Sequence, residues 1–482
     1  MADEEELPGG VEIYSYNVFF GDCFLLVFHY PDIGKKFVLI DFGSTGKGEP
    51  AEGEPPPEKG SVEADSTGQR LLRVAEHIKE TLDGNRLDVV VATHRHKDHI
   101  YGFGLKKPGE IIMQCNPRVV IQPWTEKPED NRDFTKKKAV LTPEEFAADK
   151  NKHFAASLQD MNDVSGAIEN EIGRLGEWNK FLKSIDGDLR EKILFAADDN
   201  QIKNKAAVEN LRKMGEEPNQ GHYVHYGYDD IDWKTILPGV NVRILGPPSM
   251  EQSELIASAT NKSDEFWSLQ AMNKYFWGMQ AASGRLAKES PDKDDEENSD
   301  KALFDPDNIM HDYVPPNVRW IIGRLRSLRA NQLLGIVRFV DNALNNTSVI
   351  MHFETGDQKL LFPGDAQIEN WRYALDQASG DPRLKELLKG TTVYKVGHHG
   401  SRNATPRSLW KDFDKRSETA SDARLKTVVS TMEGKHGESE DTKVPLPLMV
   451  QEMKKRSNFH STEEIGEGKF FDVIKIAVSH DR

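Results

Sequence analysis

Short runs of apolar and β-branched residues open the chain and predict a hairpin or meander of strands. The runs are VEIYSYNVFF, CFLLVFHY and KKFVLIDFG, and the pairs Gly21-Asp22 and Pro31-Asp32 between them favour turns. Residues 67–82 change to helical spacing. The apolar face of this helix consists of Leu71, Leu72, Ala75, Ile78 and Leu82. The continuous apolar run LDVVVAT then predicts a buried strand.

Two long segments interrupt the strand pattern and divide the chain. Residues 1–125 are assigned to the first half of a core, and residues 126–235, which are charged and poor in strand signals, to a helical insertion. Residues 236–250 return to a core strand. Residues 251–330 form a second insertion, whose acidic run KESPDKDDEENSD predicts local disorder because it has almost no apolar content.

Strand signals resume in residues 331–482, which we assign to the second half of the core. They include TSVIMHFE, KLLFPG, TTVYKVG, LKTVVST and KFFDVIKIAV, with the helical segments QIENWRYALDQ and PLMVQEMKKR between them. Strands with interleaved helices in both halves predict a layered α/β architecture.

Composition predicts a globular protein without a membrane span. The chain has 482 residues, and its formal net charge of −16 disfavours non-specific binding to anionic polymers but permits a local basic groove. Cys23 and Cys115 are the only cysteines and form no CxxC pair, which excludes a cysteine zinc knuckle. The acidic start MADEEELPGG lacks signal-peptide features, and no apolar run approaches the roughly 20 residues that span a bilayer. We therefore expect a cytoplasmic protein that makes no membrane contact.

Three histidines and one aspartate follow the strand LDVVVAT within six residues, as His94, His96, Asp98 and His99. Residues two apart on an extended backbone point the same way, so His94 and His96 can hold one metal ion together. Asp98 and His99 then turn towards a second position. Imidazole and carboxylate ligands at the end of a buried strand suit a divalent ion such as zinc, whereas a solvated loop rich in His and Asp fits this order less well.

This HxHxDH motif after a short apolar strand resembles the signature of the metallo-β-lactamase superfamily. Three later motifs match in order: LIDFGS with Asp41, LLFPGDA with Asp365, and KVGHHGS with His398 and His399. The chain is most similar to the ComEC-type domain found in DNA-uptake proteins. The resemblance implies an αββα sandwich, in which two mixed sheets are flanked by helices, with a large helical insertion. The segments that carry the resemblance are approximately 11–125, 236–250 and 335–435.

The resemblance also implies a set of metal ligands. These are His94, His96, Asp98, His99, Asp365 and His398. Asp98 and His399 are expected to be catalytic. The sequence leaves open which of the two late histidines is the ligand, because adjacent residues usually point apart. Asp365, taken alone, would also suit a helix N-cap, but beside the histidine motif we favour a bridging ligand.

Four residues are expected near this centre in supporting or uncertain roles. Asp41 is expected to orient a metal-ligand histidine or to pin its own loop. Asn345 best matches the position of the family's usual third histidine of the first site, and its carbonyl oxygen suits manganese better than zinc. His436 resembles a histidine of a ComEC-like loop near the site, and an ordinary loop residue remains the alternative. Ser401, like Lys395, could steady developing negative charge.

The predicted cofactors are two divalent ions, zinc or manganese, that share Asp365 and an activated water. We expect hydrolysis of a phosphodiester in a nucleic acid or nucleotide, because ComEC-like domains are associated with nuclease action and two-metal sites suit in-line displacement. A small ester, thioester or lactam is the alternative substrate, which the acidic net charge mildly favours. A third reading is a catalytically weak scaffold whose helical insertions bind a protein partner.

Overall fold

The computed structural model describes six segments of the chain, all of which belong to one compact unit. The segments are residues 6–47, 61–127, 204–253, 344–401, 405–432 and 443–480. The helices expected between 128 and 203, the acidic run at 288–300 and His436 lie outside the described residues.

Strands and helices alternate through the described segments. The strands are β1 Gly10–Tyr16, β2 Phe24–Tyr30, β3 Gly34–Ile40, β4 Val89–Val91, β5 Val119–Pro123, β6 Gln220–Val224, β7 Asn241–Gly246, β8 Ile350–Thr355, β9 Gln358–Phe362, β10 Val393–Lys395, β11 Lys426–Val429, β12 Asn458–Ser461 and β13 Phe471–Ala477. The helices are α1 Thr67–Leu82, α2 Lys97–Gly104, α3 Lys106–Gln114, α4 Lys205–Met214, α5 Trp233–Ile236, α6 Ile368–Gly380, α7 Pro382–Lys389, α8 Arg407–Asp412 and α9 Pro447–Arg456.

The strands form two mixed sheets with the same internal plan. The first sheet has the order β13-β1-β2-β3-β4-β5-β6, and the second has the order β12-β11-β10-β9-β8-β7. In the first sheet the pairs from β13 to β3 are antiparallel and those from β3 to β6 are parallel. In the second sheet β7, β8 and β9 are antiparallel, and β9 to β12 are parallel. Each sheet therefore has a set of parallel strands whose carboxyl ends all lie at the same end of the sheet.

The inner faces of the two sheets share one apolar core. Phe24 packs edge-on against Phe362 with ring centroids 5.8 Å apart, and Phe28 lies 6.2 Å from Phe353. These rings belong to a cluster that draws buried residues from both sheets, so the sheets pack face to face. Burial of apolar surface at about 25 cal/mol per Å² makes this interior the main source of stability.

Helices cover the two outer faces. The outer face of the first sheet packs against α1, α2, α3 and α4, and that of the second sheet against α6 to α9. The result is a helix–sheet–sheet–helix order, which agrees with the layered α/β architecture expected from the sequence. Helix α1 spans the residues predicted for it and is capped by Ser66, whose side chain forms a capping box with Gln69. No helix in the described segments combines the length and apolar character that crossing a membrane requires.

Strand β6 differs from the sequence interpretation, which placed all of 126–235 in a helical insertion. Residues Gln220–Val224 pair in parallel with β5 and form the edge of the first sheet. Only Val224 of this strand is fully buried, so QGHYV lacks the apolar alternation that marks a half-buried strand. Backbone pairing at the edge of the sheet, rather than side-chain burial, makes this segment a strand.

Candidate metal centre

The residues selected from the sequence converge at the carboxyl ends of the parallel strands. Asp41 follows β3, and the histidine motif follows β4, in the first sheet. Asp365 follows β9, and His398 and His399 follow β10, in the second sheet. Ligand sites in α/β proteins commonly lie at this end of the strands, where loops bring distant segments together.

Four buried side chains form the centre of this site, and we call them the central cluster. They are Asp98, His99, Asp365 and His399, and one ligand atom from each lies within 4.8 Å of the others. His399 Nε2 lies 2.9 Å from Asp98 Oδ2, and His99 Nε2 lies 3.1 Å from Asp365 Oδ2. The two remaining histidine–carboxylate distances are 3.6 and 3.7 Å.

These distances suit the ligand shell of one small divalent cation. Zinc binds imidazole nitrogen and carboxylate oxygen at about 2.1 Å, which places tetrahedral ligand atoms roughly 3.4 Å apart. The four distances of the central cluster lie on either side of that separation. Asp98 Oδ1 is also buried without a hydrogen-bond partner among the described residues, as is Asn345 Oδ1. Buried acceptors of this kind normally have partners, and a cation would supply one.

The charges of the central cluster are mutually dependent. Burial alone would raise the pKa of Asp98 and Asp365, but His99 and His399 lower both pKa values below the usual carboxyl range. Burial likewise opposes the positive charge of the two histidines, yet Asp365 and its neighbouring carboxylates raise the pKa of each. A divalent cation carries the same charge as the two histidine protons that it would displace, so it fits the cluster electrostatically.

The Nδ1 atoms of both cluster histidines have acceptors behind them. His99 Nδ1 lies 2.8 Å from Asp41 Oδ2, and His399 Nδ1 lies 2.9 Å from the carbonyl oxygen of Ser430. Asp41 also accepts hydrogen bonds from the backbone and hydroxyl of Thr93, which fix its carboxylate. An acceptor at Nδ1 leaves Nε2 free to bind a metal, which is the orienting position expected for Asp41.

Two glycines allow loops of the first sheet to hold the start of helix α2. A Cβ on Gly21 would lie 2.7 Å from the carbonyl oxygen of Asp98, and a Cβ on Gly43 would lie 2.3 Å from the nitrogen of His99. The backbone of Asp22 donates to Asp98 O, and Phe42 donates to His99 O, at 2.8 and 2.7 Å. Only residues without a side chain permit this approach, which sets the position of two cluster members.

His94 and His96 lie beside the central cluster rather than within it. His94 Nε2 is 2.9 Å from His96 Nδ1, and the His94 ring is 4.2 Å from the His99 ring. Burial, together with the charges of His99 and His96, lowers the pKa of His94 well below its usual value. His94 is therefore neutral at pH 7, which is the form that binds metal ions. Asn345, which is expected from the sequence to lie near the first metal site, is buried.

The two late histidines point to different places. His399 is fully buried and belongs to the central cluster, whereas the side chain of His398 is 27% exposed and its Nε2 lies 4.0 Å from Asp365 Oδ2. Ser401 Oγ lies 2.8 Å from His398 Nδ1, and the backbone nitrogen of His398 donates to Asp365 Oδ1 at 3.0 Å. The geometry thus favours His399 as the metal ligand and places His398 at the edge of the centre.

Two buried residues adjoin the cluster in roles that the sequence analysis did not assign. Lys395 forms an ion pair with Asp22, and the side chains of both are at most 2% exposed. From the sequence, Gly21-Asp22 favours a turn, and Lys395 is a residue that could steady developing negative charge. The sequence signal for a buried, paired lysine is its place between apolar neighbours in VYKVG, because a charged residue is rarely buried without a partner.

Comparison of the chain with protein-family models and with curated proteins gives no match. The chemistry of the centre therefore rests on its own residues. Four carboxylates lie in or beside it, from Asp22, Asp41, Asp98 and Asp365, and each is at most 6% exposed. Burying a charge costs several kcal/mol unless it is paired. This acidic, histidine-rich interior is suited to holding cations.

Proposed function

We propose that this chain is a metal-dependent hydrolase of the metallo-β-lactamase fold that uses a water activated by two divalent ions. The observation that carries the proposal is the central cluster, in which one segment after β4 of the first sheet and two segments after β9 and β10 of the second bring four donor atoms within 4.8 Å of one another. The helix–sheet–sheet–helix order supports the fold assignment, because the metallo-β-lactamase fold has the same layers.

Two divalent ions bound at this centre would supply Lewis acidity and lower the pKa of a water. The central cluster suits the ion that would bind more tightly. His94, His96 and Asn345 suit the other ion, and the amide oxygen of Asn345 makes that site weaker for zinc and more tolerant of manganese. Asp98 and Asp365 balance the positive charge, and Asp41 holds His99 with Nε2 directed into the cluster.

His398 is assigned to the substrate. Its imidazole is partly exposed, and Ser401 holds its Nδ1 side. From this position His398 can donate a hydrogen bond or a proton to an oxygen on which negative charge develops. This assignment exchanges the roles expected from the sequence, in which His398 was a ligand and His399 was catalytic.

A phosphodiester in a nucleic acid or nucleotide is the proposed substrate class. The support is the resemblance of the HxHxDH, PGDA and KVGHHGS motifs to the ComEC-type domain, together with the suitability of paired cations for phosphoryl oxygens. The proposal of a metal-dependent hydrolase does not depend on this substrate class; it requires only that hydrolysis depends on metal.

The test is hydrolysis of a chromogenic phosphodiester, single-stranded DNA and RNA by the full-length protein with added zinc or manganese. Asp98→Asn and Asp365→Asn should reduce kcat to background while far-UV circular dichroism stays unchanged, because each removes a cluster charge. Asp88→Asn is the matched control: Asp88 is equally buried but pairs with Lys36, at the other end of β4. Full turnover by either cluster variant, or hydrolysis that is indifferent to metal, would contradict the proposal.

A further inference from the structure

Lys395 is a fully buried cation whose ammonium group is surrounded by acceptors. Its Nζ contacts Asp22 Oδ2, donates to the carbonyl oxygen of Gly364 at 3.2 Å and lies 3.6 Å from Asp365 Oδ1. An ammonium group has three protons, and three acceptors surround this one. Gly364 immediately precedes Asp365, so Lys395 contacts both the backbone and the side chain that place this cluster member.

Asp22 lies behind both cluster histidines. Its Oδ1 is 3.5 Å from His399 Nδ1, and its Oδ2 is 3.7 Å from His99 Nδ1. It belongs to the first sheet's loops, whereas Lys395 ends β10 of the second sheet. The ion pair therefore joins the two sheets directly behind the Nδ1 atoms, on the side opposite the Nε2 atoms that face the cluster.

We propose that Lys395 and Asp22 form a positioning pair that keeps the central cluster arranged for a divalent cation without touching the cation. The proposal rests on the metal centre described under the proposed function. Lys395 fixes the segment that carries Asp365, and Asp22 supports the two histidines from behind. Ligands held in place before the cation arrives bind it more tightly, because less ordering is required on binding.

If Lys395 acted on the cation only through its charge, its removal would change the cation affinity in the opposite direction. The affinity of a Lys395 variant therefore distinguishes a positioning role from a charge effect. Lys395 carries a positive charge close to Asp365, so its removal should strengthen cation binding if only Coulomb repulsion mattered. If the residue positions the cluster, its removal should weaken binding. A purely structural role would change the thermal stability of the fold and leave the cation affinity as it was.

The experiment measures the dissociation constant of zinc by competition with a chromogenic chelator, and of manganese by electron paramagnetic resonance. It uses the full-length protein and its Lys395→Met, Asp22→Asn and double variants. Each variant should bind at least about tenfold more weakly than the parent, as is typical when residues that support metal ligands are removed. Lys36→Met is the matched control: Lys36 pairs with Asp88 away from the centre, so its loss should leave both constants unchanged.

The double variant decides between positioning and charge balance. It removes one positive and one negative charge, so a charge effect alone would return the dissociation constant to the parent value, whereas a positioning pair leaves it weak. Unchanged or tighter binding by Lys395→Met, or recovery in the double variant, would overturn the inference. If Lys395→Met fails to fold, the double variant carries the test, because it keeps the net charge of the parent, whereas Asp22→Asn alone would weaken binding under either account. A parent protein that binds neither cation would overturn the proposed function instead.

Discussion

At the residue scale, the centre depends on two neighbouring histidines with different surroundings. His398 and His399 both have positive φ angles, 43° and 52°, and their ring centroids are 6.3 Å apart. This backbone turn sends His399 inwards, where its ring lies against Phe20 at 4.3 Å, and leaves His398 at the edge. The sequence KVGHHGS contains both residues but not the φ angles that separate them, so it could not identify the ligand.

Alanine at each of these positions should separate binding from catalysis. His399→Ala removes a ligand of the central cluster, so the dissociation constant for zinc should rise by at least about 100-fold. His398→Ala should leave that constant within a few-fold of the parent and lower kcat, because we assign this partly exposed residue to the proposed substrate. Zinc competition and metal-saturated kinetics measure the two effects. Loss of zinc affinity in His398→Ala alone would reverse the assignment.

At the element scale, an ion network around the buried carboxylate of Asp65 connects the start of α1 to the loop between β1 and β2. Asp65 accepts hydrogen bonds from Arg70 and Arg73 at 3.2 and 2.9 Å, and Arg70 also donates to the carbonyl oxygen of Asn17 at 2.7 Å. The Arg70 guanidinium lies over the Phe19 ring at 4.2 Å. The network therefore connects α1 to the loop that contains Asp22.

Acid should weaken this connection in a predictable direction. Burial alone would raise the pKa of Asp65, but hydrogen bonds and charge from Arg73 and Arg70 lower it below 3.8. A carboxyl whose pKa is lower in the folded state stabilises the fold above its unfolded pKa, and this contribution is lost as pH falls through the folded pKa. Asp65→Asn should therefore lower the free energy of unfolding at pH 7 by roughly 3 kcal/mol.

Urea unfolding of the parent and of Asp65→Asn between pH 7 and pH 3 measures this effect. The difference in unfolding free energy between the two proteins should be constant above the usual carboxyl pKa and should narrow only below it. A gap that widens as pH falls would show that the carboxylate is not the stabilising form of Asp65.

At the scale of the whole molecule, the sequence predicts the layered architecture and the motifs that meet at the centre. It does not predict every strand or every residue that adjoins the centre. Strands with strong apolar runs, such as LDVVVAT and KLLFPG, were placed correctly because burial on both faces leaves a clear pattern. Strand β6 was missed because an edge strand needs only backbone pairing. The ion pair between Asp22 and Lys395 was not predicted, because the two residues lie far apart in the chain.

The candidate metal centre also depends on the whole fold, since neither sheet carries all of its candidate ligands. The first sheet contributes Asp98 and His99, and the second contributes Asp365 and His399. Packing of the two sheets brings these pairs together, so the same apolar interior that stabilises the fold also sets the ligand distances. This dependence explains why short motifs could identify candidate ligands but not the geometry of the centre.

The most direct test of the account is the metal content and metal coordination of the full-length protein purified without chelator. Elemental analysis should find at least one divalent transition metal per chain, or uptake of one on titration with zinc or manganese. X-ray absorption at the metal edge should then show imidazole and carboxylate ligands together, as His99, His399, Asp98 and Asp365 require. A folded chain that takes up neither metal, or a bound metal without imidazole ligands, would contradict the account.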